Sequence, residues 1–175
     1  VRHHSNYYNP TPQRPFMPAH HPFRRPTPPP PGAHYYGSPL FNTILGVTLG
    51  TALNASLDYL IGASYNVAGY ADNVVYVNNA SMMGYSWPNA TLYYTDNVMS
   101  GSEFVYSTTA YDVSRFNYLY NSLNQMYGAP VSIDNDSDLM SSTWWSYDQY
   151  ITLSYYPDYA TNGTLRYYTV LTMGR

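Results

Sequence analysis

Residue types able to do chemistry are unevenly placed along this chain. All five histidines, at 3, 4, 20, 21 and 34, lie in the first 39 residues, and there is no lysine or cysteine anywhere. Residues 40–175 therefore cannot supply a Ser-His-Asp triad, a thiolate nucleophile or a Schiff-base amine. A carboxylate pair is the remaining route to catalysis. The acids are Asp58, Asp72, Asp96, Glu103, Asp112, Asp134, Asp136, Asp138, Asp148 and Asp158, and only Glu103 falls inside an expected strand. Turns and a helix cap account for most of the others, so the chain is not expected to be an enzyme.

Metal chemistry is also thinly supported. Paired histidines can ligate Zn²⁺, Ni²⁺ or Cu²⁺, but a specific site needs fixed geometry and supporting hydrogen bonds, which a flexible segment lacks. Asp134, Asp136 and Asp138 match the first three ligand positions of a calcium loop. Its sixth-position glycine is replaced by Leu139 and its twelfth-position glutamate by Trp145, so the run reads as an acidic turn. No metal and no cofactor is expected.

The remaining feature is aromatic. Trp144-Trp145, Tyr155-Tyr156 and Tyr167-Tyr168 are adjacent pairs in β-rich runs, as is Tyr93-Tyr94. Neighbouring residues of a strand point to opposite faces, so each pair sends one ring to either side. One side is core, and the other is an expected exposed binding face whose candidates are drawn from Trp144, Trp145, Tyr155, Tyr156, Tyr167 and Tyr168. Such a face could stack on sugars or bury against a protein. Cross-strand pairing that stabilises the sheet would account for most of the rings without any ligand.

The elements that position these residues follow from composition and period. The first 39 residues hold eleven of the 14 prolines, four arginines and no acid. That composition predicts a disordered or polyproline-like tail over residues 1–39, with "RPTPPPPG" as a spacer. Residues 40–175 carry three arginines against ten acids, a formal −7 beside a tail of +4. A negative body excludes nucleic acid as the expected partner. The tail's charge suits a weak, salt-sensitive contact with acidic lipid or polymer.

Residues 40–64 read as a glycine-spaced apolar helix. Gly46 and Gly50 form a GxxxG that would serve helix–helix contact. Packing against its own domain or a second copy is one reading, and membrane association is another. Asn42, Asn54 and Asp58 count against a span, since a mid-bilayer Asp costs roughly 2.5–3.5 kcal/mol. Residues 68–175 read as a small α+β domain. "NVVYVNN" is a strand, "ATLYYTD" and "SEFVYST" form a hairpin with Gly101 in its turn, and Trp87-Pro88 breaks the chain at the sheet edge. Asp112 caps a helix over about 112–127, with Val113, Phe116, Leu119, Tyr120, Leu123 and Met126 as its stripe and Gly128 and Pro130 as its stop. Strands over 139–147, 149–157 and 164–173 complete an antiparallel meander packed on that helix.

"GYADNVVYVNN", "YSWPNATLYY", "GSEFVYSTTAYDVSRFNYLYNSLNQMYGAPV", "STWWSYDQYITLSYY" and "GTLRYYTVLTMG" resemble an uncharacterised group of secreted or envelope proteins of Bacteroidales with a Tyr-rich C-terminal domain. The resemblance covers residues 40–175 and implies export but no activity. A looser likeness rests on Tyr127, Gly128 and Pro130 with Trp144 or Trp145. This is similar to the helix-plus-sheet unit of β-lactamase-inhibitor-protein-like folds, without the lipidation cysteine or disulfides that related proteins carry. No apolar leader precedes the tail, so an exported form is expected to have had its signal removed. The expectation is a non-catalytic cell-envelope protein acting as a structural or interaction module in the periplasm, outer membrane or surface of a Gram-negative bacterium. Its expected partner is a protein or a second copy. The alternative is a soluble secreted module that binds glycan or protein through the Tyr/Trp face.

Overall fold

The computed structural model describes residues 2–20, 25–31, 36–136 and 138–175. The fold is α+β, built on a large antiparallel sheet. The chain forms two compact units, residues 1–14 with 41–104 and residues 15–40 with 105–175. In chain order each contains a helix followed by a run of four strands. The units divide inside a strand, after Phe104, rather than near residues 39 and 67.

Unit 1 opens with a two-residue hairpin, β1 (Thr43–Ile44) and β2 (Val47–Thr48). The β-branched quartet Thr43, Ile44, Val47 and Thr48 favours strands, and Leu45 and Gly46 turn between them at φ 52° and 81°. Positive φ at both turn residues is what a two-residue hairpin of the strand twist requires. The helix expected over 40–64 is therefore confined to α1 (Leu53–Gly62), which buries Leu53, Ser56, Leu57 and Leu60. Gly46 and Gly50 lie outside it, Gly50 at φ 86° donating its N–H to the Met99 carbonyl, so they are turn glycines and not a helix-contact motif. Among the described residues, no helix is long and apolar enough to cross a membrane. Ser64, at φ 66°, turns the chain out of α1.

Four strands follow: β3 (Asn66–Ala71), β4 (Val74–Met82), β5 (Tyr85–Thr95) and β6 (Val98–Thr108). The β5–β6 turn is Asp96-Asn97, both at positive φ, whereas Gly101 lies within β6. Asn and Asp tolerate the left-handed conformation, which is why the turn falls there. Trp87-Pro88 does not break the chain or lie at an edge. Both residues sit inside β5, between β4 and β6, with Trp87 buried. Pro88 has no N–H to give its neighbour, and Asn79 takes φ 52° between the Asn78↔Asn89 and Ala80↔Trp87 pairs. Val75, Val77, Trp87, Leu92, Met99 and Phe104 make the core of this unit with Leu57 and Leu60.

Unit 2 carries α2 (Ser114–Tyr127), then β7 (Ser132–Asp136), β8 (Leu139–Ser146), β9 (Gln149–Tyr159) and β10 (Leu165–Gly174). Phe116, Leu119 and Leu123 of α2 are buried as its spacing predicts, while Met126 is exposed. The N-cap is Val113, which makes no side-chain cap bond, one residue after the expected Asp112; the Asp112 carboxylate instead accepts the Ser114 N–H at 3.0 Å and the Ser114 hydroxyl at 2.6 Å just ahead of the first turn. Gly128, at φ 81°, ends the helix, and its carbonyl accepts the Trp144 indole N–H at 2.9 Å. The strand order of the eight-stranded sheet is β3-β4-β5-β6-β10-β9-β8-β7.

The proline-rich segment differs from a free tail over much of residues 2–19, at Arg25 and from Tyr36 to Leu40. In unit 1, residues Arg2–Tyr7 form a 3-10 helix, and the buried His4 Nε2 lies 2.6 Å from Asp58 Oδ1. Tyr8 bridges in parallel to Tyr70 of β3, and Asn9 donates its N–H to the Tyr70 carbonyl. In unit 2, Ala19 donates to the Tyr159 carbonyl, Tyr36 donates to the Trp145 carbonyl, and Leu40 donates to the Gln149 side chain. Prolines leave carbonyl acceptors without matching donors, and tyrosine hydroxyls supply some of them. Tyr76 donates to the Pro10 carbonyl, Tyr168 to that of Phe16 and Tyr127 to that of Leu40. His21 and His34 lie outside the described residues.

Candidate functional site

The site grows from strand register. On β9 and β10, Tyr155 faces Thr169, and Pro157 faces Tyr167; on β8, Met140 faces Tyr155. These residues share one side of the sheet. α2 covers part of that side, with Phe116 against Tyr155 and Tyr120 against Trp144 at ring centroids of 6.4 and 6.0 Å. The helix begins at Ser114, so the chain just before it crosses the rest. There Tyr111 stands edge-on to two rings, 5.5 Å from Tyr155 and 5.8 Å from Tyr167. Tyr155 and Tyr167 are near-parallel, 6.5 Å apart.

These three rings line a cavity of about 620 Å³ together with Met140, Leu165, Asp136 and Asp138. Its lining residues differ in exposure. Tyr155 is 3% exposed and its hydroxyl accepts the Asp112 N–H at 2.9 Å, whereas Tyr111 is 64% exposed. Burial pushes the Tyr155 phenol up from its usual value. Its bonds to Ser114, side chain first and backbone second, hold the Asp112 carboxyl below the usual carboxylate range.

The six candidate rings for an exposed face are mostly covered. Trp144, Trp145, Tyr155 and Tyr168 are buried, and Tyr156 and Tyr167 are half-buried. Trp144 is tied to the end of α2, Trp145 packs on Tyr150, and Tyr168 stacks on Tyr156 at 5.8 Å. Only Tyr155 and Tyr167 reach the large cavity. Tyr156 lines a smaller one of about 430 Å³, with His20, Ser141, Ser154 and Asp158. The correction has a plain cause: both faces are partly covered, one by α2 and the other by Phe16 at Tyr168 and Arg25 at Trp145, which buries rings on two sides where burial on one was expected. Tyr111 was the residue missed. Its partners are rings of β9 and β10, more than 40 residues away in the chain, so no local pattern marked it.

The acidic run, expected as a turn, begins as strand. Asp134 and Asp136 lie in the exposed strand β7, paired to Ser141 and Leu139, and Ser137 lies outside the described residues. Among the described residues, no group of three His, Asp or Glu side chains is placed to hold a metal. Glu103 is buried in unit 1, in the electrostatic neighbourhood of Arg14 and Tyr93. Arg14 lies over the Tyr76 ring at 4.9 Å. Burial first, and Glu103 second, push the Tyr93 phenol well up.

Fold and cavity define an α+β protein with an aromatic pocket at the uncovered end of its second helix–sheet unit. Compared with known proteins, the chain matches no family model, no curated protein and no solved structure.

Proposed function

We propose that this chain is a non-catalytic interaction module that binds its partner through the tyrosine-lined cavity of unit 2. The observation carrying this reading is the convergence of Tyr111, Tyr155 and Tyr167 on one cavity of about 620 Å³. That volume is in the range of ligand sites, and tyrosine supplies apolar area with a polar tip at little entropic cost. Residues 40–175 hold no histidine, lysine or cysteine, which also favours binding over catalysis. The inferred place of action is the envelope of a Gram-negative bacterium. Its support is the sequence resemblance and a surface solubilised with Ser, Thr, Asn and Tyr rather than charge.

The test is a titration of the full chain and of a Tyr111→Ala/Tyr167→Ala double variant with neutral oligosaccharides and with short acidic, neutral and basic peptides. Binding by at least one class, weakened about tenfold or more in the double variant, is expected from the loss of two rings. If nothing binds the full chain saturably, or binding is indifferent to both rings, the cavity is not the interaction site.

A further inference from the structure

Tyrosine is the reactive residue type that this chain has in abundance. It has 23 tyrosines, no cysteine and no lysine, so disulfides and lysine-based amide links are closed to it and oxidative coupling of phenols is open. Its three tryptophans, which give up an electron more easily still, are at most 2% exposed. We propose that Tyr8 and Tyr70 form an oxidative cross-linking site, where a haem peroxidase and hydrogen peroxide join the two rings as dityrosine and fasten the proline-rich segment covalently to β3.

Contact, restraint and access all favour this pair. The two rings stand edge-on, with centroids 5.4 Å apart and planes at 84°. The backbone holds them opposite each other, because Tyr8 bridges in parallel to Tyr70 and the Asn9 N–H donates to the Tyr70 carbonyl at 3.0 Å. Anchors lie on both sides of Tyr8: the His4–Asp58 contact before it, and the Tyr76 hydroxyl on the Pro10 carbonyl after it. Tyr8 is 55% exposed and Tyr70 is half-buried, so an enzyme-borne oxidant meets Tyr8 first, with a second phenol already against it. Holding two reactants in contact gives them an effective concentration far above that of a second chain in dilute solution.

The peroxidase takes one electron and one proton from the Tyr8 phenol, leaving a phenoxyl radical whose spin reaches the ring carbons ortho to oxygen. Tyr70 gives up an electron and a proton in turn, to the enzyme or to Tyr8, which is then oxidised again. The exposed Tyr8 ring swings until one ortho carbon of each ring meets the other, and a C–C bond forms between them. Each of those carbons passes its hydrogen to the phenol oxygen as the ring regains aromaticity. The pair has lost two electrons and two protons, which convert one hydrogen peroxide to two waters.

The experiment treats the dilute full chain with a haem peroxidase and one equivalent of hydrogen peroxide, and reads the product by intact mass, dityrosine fluorescence and peptide mapping. The expected product is a monomer lighter by two hydrogens, with the Tyr8 peptide joined to the Tyr70 peptide. Methionine oxidation adds oxygen instead and is separated by mass. Tyr8→Phe and Tyr70→Phe, with circular dichroism unchanged, are each expected to remove the joined peptide, while Tyr147→Phe, at a 71% exposed position, leaves it. Gly69→Ala keeps both phenols but puts a Cβ 2.7 Å from the Asn9 carbonyl oxygen, and is expected to lower the yield about fivefold or more. An unchanged yield in Gly69→Ala overturns the claim that the packed contact directs the coupling. Tyr8 joined to a second chain, or Tyr111 joined to Tyr155 or Tyr167 while Tyr8 and Tyr70 stay intact, overturns the pair. Absence of dityrosine from the wild type overturns the site altogether.

Discussion

Gly46 shows how a single missing carbon decides local structure. It sits at φ 81° in the β1–β2 turn, and a Cβ placed there would overlap the ring of Tyr59 on α1. Gly84, at φ 80°, shares the backbone conformation but has open space around it. Alanine at either site carries a left-handed cost of about 1–2 kcal/mol. Gly46→Ala is expected to lose more, because the ring must move as well. Urea unfolding of both variants measures the difference, and Tyr59→Ala in the Gly46→Ala background should remove most of it, a coupling that a double-mutant cycle isolates. Equal losses at the two glycines would mean that Tyr59 does not pack on this turn. A related closeness exists at Gly69, where a Cβ would lie 2.7 Å from the Asn9 carbonyl oxygen. Gly69→Ala is expected to loosen residues 2–9, read as faster proteolysis near Tyr7 and Tyr8 with the remainder resistant.

At the scale of elements, α2 was legible because its signals agree: Asp112 in front, Phe116, Leu119 and Leu123 on one side, and Gly128 behind. Residues 40–64 were not, because a period of apolar residues looks the same whether Leu45-Gly46 continues a helix or turns a hairpin. The β-branched residues on either side of that pair carried the answer. Strand runs were legible, but their turns were not, since Asp96-Asn97 adopts positive φ as readily as a glycine next door. The aromatic pairs were correctly placed on strands, yet which rings stay open depended on two covers. One was α2, and the other was a segment whose composition argued against any packing. Asp112 provides a test of the carboxylate bonds to Ser114 at the start of α2. Its folded pKa is depressed, so its contribution is present above the unfolded value of about 3.9 and is lost as pH falls through the lower folded value. Thermal unfolding of wild type and Asp112→Ala between neutral and strongly acid pH should show a gap that is constant down to about pH 4 and closes below it. A gap independent of pH would assign the effect of the substitution to something other than the carboxylate. The edge strand β3 offers a second test. Tyr8 and Asn9 occupy part of its outer side, and open strand edges pair with other chains. Removing residues 1–9 is expected to produce concentration-dependent oligomers in size-exclusion chromatography, where the full chain gives one species.

Across the whole molecule the unusual fact is 23 tyrosines in 175 residues, with Tyr94, Tyr150, Tyr155 and Tyr168 buried. They serve as core and as hydrogen-bond donors together, which lets a proline-rich segment with few donors of its own lie on the folded units. That use has a consequence at high pH. Burial pushes the Tyr94 and Tyr168 phenols up to about 12, and also raises Tyr127 and Tyr155. A raised acid keeps its proton in the folded state when the unfolded chain has released it. The stability these groups contribute is therefore complete below the unfolded value of about 10 and is lost as pH climbs from there toward the folded values. The expected outcome is a steep fall in unfolding free energy above about pH 10, ending in a cooperative transition in which phenolate absorbance and loss of circular dichroism coincide. Tyr168→Phe should shift that transition to higher pH while lowering stability at neutral pH, because it removes the titrating hydroxyl together with its bond to the Phe16 carbonyl. Phenolate release that proceeds smoothly through pH 12 with the fold intact would mean that these hydroxyls reach solvent. In that case the packing of residues 15–20 over Tyr168 would not be what shields them.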